Sequence, residues 1–131
     1  MSQENVERFR GSMEAFNRGD VEGWLQDYHP DVVVALQDVE LEGEYSGHDG
    51  LRRFFASFAE SFEMFEVHYS DVRDLGDQVL GLGTLRTTGR GSGIRNEGPV
   101  AILASYRDGL CTHLKDYGEW GHALEAAGLA E

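Results

Sequence analysis

The chain has 131 residues, of which 24 are acidic and 11 basic, giving a formal net charge of −13. That balance repels polyphosphate backbones, and no Lys/Arg stripe gathers on a predicted element, so nucleic acid is not an expected partner. A 40% hydrophobic content is enough for a buried core in one domain spanning 1–131, and no stretch approaches the ~18 consecutive apolar residues of a membrane span.

The opening MSQENVERFRGSMEAFNRGD mixes charges throughout, so no secretory signal is expected and the protein reads as cytoplasmic. Residues 3–18 place Val6, Phe9, Met13 and Phe16 at helical spacing. Gly19 ends that helix, and Asp20 caps a second one carrying Trp24, Leu25 and Tyr28, which His29-Pro30 stops. DVVVALQDVEL (31–41) is β-branched and predicts a strand. Residues 45–62 predict a helix with Leu51, Phe54, Phe55, Phe58 and Phe62 on one apolar face, and the phenylalanines read as core. Ser46-Gly47 forms the turn before it, with His48 and Asp49 in the first helical turn.

Four strands follow: MFEVHYSDVRDL, QVLGLGTLRTTGR, PVAILASYR and LCTHLKDYG. Their joints LGD, GRGSG and RDG are turn-rich. GRGSG (89–93) is a hairpin turn and not a phosphate cradle, because a strand rather than a helix follows the glycines. Arg86 and Glu97 fall opposite each other across that hairpin and predict an ion pair. Gly81 and Gly83 share a strand face, where the missing side chains allow bending or leave room for a ligand. EWGHALEAAGLAE closes the chain as a short helix with Gly128 as its cap. Segregated helices followed by a strand meander predict an α+β domain, with helices packed in a curved antiparallel sheet whose cone encloses a pocket.

The ordered set FNRGD-x3-WL-x2-YHPDV, YSGHDGLRRFF, GRGSG, YRDG and ALEAAGL resembles the SnoaL-like branch of the NTF2-like superfamily over residues 3–130. The resemblance implies a cone that binds a small hydrophobic or polyketide-like molecule, and a homodimer formed through the outer sheet face. It does not imply one activity, since this fold hosts isomerases, cyclases, hydrolases, dehydratases and non-catalytic binders. Ketosteroid-isomerase-like members use a tyrosine and two aspartic acids, and the matching positions here are Ser12, Leu36 and Ile102. (Ketosteroid isomerase is itself a standard example of tuned carboxyl groups.) Members that cyclise polyketides carry an aspartate after an aromatic residue on the last strand, and matching that residue to Tyr117 puts Gly118 there. Neither chemistry transfers by those positions.

Strand alternation puts Thr112, Leu114, Asp116 and Gly118 on one face of the last strand, and His113, Lys115 and Tyr117 on the other. By resemblance the first set lines the cone, while Cys111 lies on the back as a small apolar residue. The expected pocket wall is Leu36, Phe54, Leu85, Val100, Ile102 and Leu114, capped by Trp24, Tyr28 and Trp120. Asp116 is the candidate catalytic residue: it is either a desolvated acid/base in that wall, or a residue near the pocket mouth that is hydrated or bonded to Tyr28 or Trp120. Five histidines, at 29, 48, 68, 113 and 122, have no metal-ligand spacing, and no metal or cofactor is expected. The remaining reading is a structural or protein-binding dimer whose interior is filled by its own side chains.

Overall fold

The computed structural model describes residues 2–36 and 44–129, with the side chains of Ser2, Leu36 and Glu44 excepted. Four helices and six strands occur among the described residues: α1 (Ser2–Arg18), α2 (Val21–Leu25), β1 (Tyr28–Leu36), β2 (Glu44–Ser46), α3 (Gly47–Ser61), β3 (Phe62–Asp74), β4 (Gln78–Gly89), β5 (Arg95–Arg107), β6 (Leu110–Asp116) and α4 (Trp120–Ala126). Residues 37–41 of the expected first strand lie outside the described residues.

α1 buries Phe9, Met13 and Phe16, and it ends where Gly19 turns to φ 79°. There Gly19 N–H donates to Phe16 O and Asp20 N–H to Ala15 O, satisfying carbonyls the helix leaves open. Asp20 then caps α2 by accepting from Gly23 N–H at 3.0 Å. At the far end of the chain Gly128 repeats the device, with φ 77° and Leu129 N–H donating to Leu124 O.

The strands form a single sheet in the order β2-β1-β6-β5-β4-β3. It is mixed rather than purely antiparallel, because β1 and β6 run parallel. Tyr28 opens β1 instead of closing the second helix. The strand tolerates His29-Pro30 because its ladder with β6 is interrupted between Tyr28 and Val33, where a missing proline N–H breaks no pairing. Arg86 Nε donates to Glu97 Oε2 at 2.7 Å across the β4–β5 hairpin, as the spacing predicts. Gly89 N–H closes that turn on Ile94 O.

One face of the sheet holds α1, α2 and α3, and Phe9, Phe16, Trp24 and Leu51 join Tyr28, Val34, Ile102 and Leu114 in one core. On the other face Leu80, Leu82, Ala101 and Leu103 are covered by Ala123, Leu124 and Tyr117 of the same chain. α4 thus occupies the apolar centre of the face on which self-association was expected. β3 forms one edge of the sheet, and along it the Asn17 amide receives Val67 N–H at 2.9 Å and donates to Val67 O at 2.8 Å.

Candidate functional site

β-strand alternation and two bulges decide what reaches the concave interior. In β6, His113 pairs with Ser105 and Cys111 with Tyr106, so Thr112 is an extra residue. An extra residue reverses the inside-outside parity. Cys111 therefore lies in the interior core rather than on the back, and burial pushes its thiol up to about 12. Thr112 consequently leaves the cone wall, and its hydroxyl donates to Ser105 O. In β3, Ser70 is the extra residue between Tyr69 and Asp71, which keeps both Tyr69 and Val72 in the core.

Past the Thr112 bulge the expected parity holds. Asp116 pairs with Leu36 of β1 and Ile102 of β5, and Ile102 in turn pairs with Gly81 of β4. The next row joins Val100, Gly83 and Tyr69. A cavity of about 60 Å³ sits over these rows. The sheet contributes Tyr28, Val34, Val67, Tyr69, Leu85, Val100, Ile102, Leu114 and Asp116, and the helices contribute Met13, Phe16, Trp24, Phe54 and Phe58.

The expected wall residues Phe54, Leu85, Val100, Ile102 and Leu114 meet there, together with Trp24, Tyr28 and Asp116. Trp120 does not. It starts α4 on the opposite side of the sheet, partly exposed, and its indole N–H donates to Gly83 O at 3.1 Å. The Leu36 side chain lies outside the described residues. Gly118 sits just past β6 with φ 75°, and its N–H donates to Asp116 Oδ1 at 2.8 Å. That geometry favours glycine for backbone reasons.

Aromatic edges pack the helical side of the cavity. Phe16 meets Trp24 at 5.2 Å between centroids, and Phe54 meets Phe58 at 5.1 Å. Trp24 Nε1–H donates to Tyr28 Oη at 3.1 Å. Gly81 is not left open for a ligand: a Cβ there would stand 2.6 Å from Phe9 Cζ and 2.9 Å from Tyr69 Cδ1. The Phe9 and Tyr69 rings fill that space, edge to face at 4.9 Å.

Met13, Phe16, Val34, Phe58, Val67 and Tyr69 also line the cavity without having been expected there, and of these Tyr69 is the one that brings a polar group. It lay inside the polar-looking run HYSD, although it continues the alternation of Phe65 and Val67 on the core side. Its hydroxyl and that of Ser12 are buried with no hydrogen-bond partner among the described residues, although Ser12 lies beside Tyr28. Each unmade bond of this kind costs about 1–3 kcal/mol. Burial, and then the nearby Asp116 charge, raise the Tyr69 phenol well above the usual tyrosine range, so it stays a neutral donor. Burial likewise raises Tyr28. No group of three or more His, Cys, Asp or Glu among the described residues is placed to hold a metal ion, and no helix there is long and apolar enough to cross a membrane.

Solved structures share this architecture. TerC co-crystallised with polyporic acid superposes with a TM-score of 0.80 at 24% identity, covering 95% of this chain and 98% of that one. An NTF2-like protein of unknown function from Burkholderia pseudomallei gives 0.81 at 23%, covering 93% and 95%. A putative SnoaL-like polyketide cyclase from Jannaschia gives 0.78 at 20%, covering 98% and 94%. No curated protein matches the chain. The sequence does match the SnoaL-like domain over residues 9–114, and with the curved six-stranded sheet this makes the chain a member of the SnoaL-like family.

Proposed function

We propose that this single domain, 1–131, binds a small, predominantly hydrophobic molecule of the polyketide kind inside its cone. The observation that carries the reading is a cavity walled by aromatic and aliphatic side chains, with Asp116 and Tyr69 as polar groups in that wall. Support of a coarser kind comes from the shared fold of TerC, solved with polyporic acid. The cavity of about 60 Å³ is well below the ~300–1,000 Å³ of ordinary ligand sites. Binding therefore requires α3 to yield, and the half-buried Phe54 and Phe58 are the side chains that give way.

A thermal-shift screen against apolar aromatic compounds tests this. A ligand held by the native state at 100 times its Kd adds about 2.7 kcal/mol of stability, which raises the melting temperature by several degrees. No shift with any apolar compound overturns the proposal. It would instead favour the reading to which the small volume lends weight, a structural or protein-binding protein with its interior filled by its own side chains.

The Asp116 carboxylate beside a neutral phenol also supports an enzymatic version of the same site, with Asp116 moving a proton in an isomerase, cyclase or dehydratase reaction. For a ligand found in the screen, Asp116→Asn then abolishes conversion while affinity stays within a few-fold. Unchanged conversion removes that role. The reading needs no nucleic acid, membrane or cofactor, and it fits a cytoplasmic setting. A homodimer through the outer sheet face would use the surface around Met64, Arg86 and Glu97, beyond the part that α4 covers; a monomer mass in sedimentation analysis removes it.

A further inference from the structure

A buried donor without an acceptor defines what the cavity lacks. Tyr69 Oη is such a group among the described residues, and its ring lines the cavity. The fold fixes the position of that ring. Tyr69 pairs with Gly83, and the absence of a side chain at Gly81 lets its ring lie across β4 toward the row of Ile102 and Asp116. Phe9 holds the ring from behind at 4.9 Å and 62°. A donor fixed in this way is preorganised for a ligand oxygen once Phe54 and Phe58 make room for the ligand.

The surroundings narrow the chemistry of that oxygen. A plain hydrocarbon leaves the O–H unanswered. A carboxylate answers it but brings a second negative charge toward Asp116, whose charge already reaches Tyr69, and in an apolar wall like charges repel strongly. An uncharged carbonyl supplies the acceptor without the charge. We infer that Tyr69 is the specificity-determining residue of the cavity and donates its hydroxyl proton to a neutral ketone-type carbonyl of the ligand. The inference deepens the ligand-binding proposal and rests on it.

The test uses the full chain and its Tyr69→Phe variant, titrated by calorimetry or NMR with acetophenone, ethylbenzene and benzoate. Acetophenone and ethylbenzene have nearly the same shape, so the change between the two proteins isolates the carbonyl. The expected result is a roughly 5- to 15-fold loss of acetophenone affinity in Tyr69→Phe, the size of one hydrogen bond. Ethylbenzene affinity stays unchanged, and benzoate binds the wild-type protein more weakly than acetophenone does. The ligand-free variant melts no lower than the wild type, because the lost hydroxyl made no bond among the described residues; a purely structural tyrosine would not change ligand selectivity. Equal acetophenone affinity in the two proteins, or benzoate as the tightest ligand, overturns the inference and leaves the binding proposal standing. If the wild type binds neither acetophenone nor ethylbenzene, both fall.

Discussion

The two faces of β4 and β5 are cut from the same stretch of chain and are built to opposite ends. On the convex side Leu80, Leu82, Ala101 and Leu103 interlock with Ala123 and Leu124 of α4, all with aliphatic groups. On the concave side the alternate residues are Gly81, Gly83, Val100 and Ile102; the Phe9 ring of α1 packs onto Gly81, and aromatic rings surround a cavity over Val100 and Ile102. Aliphatic side chains close one side, whereas on the other side rings pack over the strands and leave a cavity. The contrast teaches that one pair of strands can be packed by aliphatic groups on one face and by rings around a cavity on the other.

That contrast can be broken at three strengths. Leu82→Ala removes a side chain that is 1% exposed from the closed face. Stability should fall by about 2–5 kcal/mol, as for other buried leucine truncations, with ligand affinity unaffected; chemical denaturation followed by fluorescence measures it. Gly83→Ala acts on the open face, where the added Cβ meets the His68 carbonyl and stands 2.8 Å from Tyr69 Cα. Backbone cannot rotate away as a side chain can, so a loss of about 1–3 kcal/mol is expected, together with altered near-UV circular dichroism from a displaced Tyr69. Arg86→Ala removes an exposed pair with Glu97, more than half accessible on both partners, and should change the unfolding free energy from chemical denaturation by less than about 1 kcal/mol. A larger effect there would point to a second chain resting on that surface.

Much of this architecture could be read from residues alone, and what could not has a common cause. The helices announced themselves because Phe9, Met13 and Phe16 recur at helical spacing and Gly19 and Asp20 mark a boundary. The hairpins announced themselves through their turn residues. The aliphatic wall of Val100, Ile102 and Leu114 followed from simple alternation. Errors arose wherever an extra residue reset the alternation. Thr112 sent Cys111 inward, and Ser70 brought Val72 to the same side as Tyr69, though neither residue is distinctive by type. Pro30 read as a full stop but fell in a gap of the β1–β6 ladder, where its missing N–H breaks no pairing. Trp120 depended on which side of the sheet the last helix packs, and that is fixed by the distant leucines of β4 and β5. Bulges and cross-sheet packing are tertiary facts, so no local pattern encodes them.

The amide of Asn17 has a consequence beyond the site. A thirteen-residue strand at the rim of a sheet is a template on which a second molecule can add its own strand, and fibril growth begins in that way. By offering an amide carbonyl and an amide N–H to Val67, Asn17 imitates the missing neighbour at mid-strand and occupies both backbone groups of that residue. The helix that lines the cone thereby also guards its rim. Asn17→Leu would leave the interior intact and make concentrated solutions of the protein cloud.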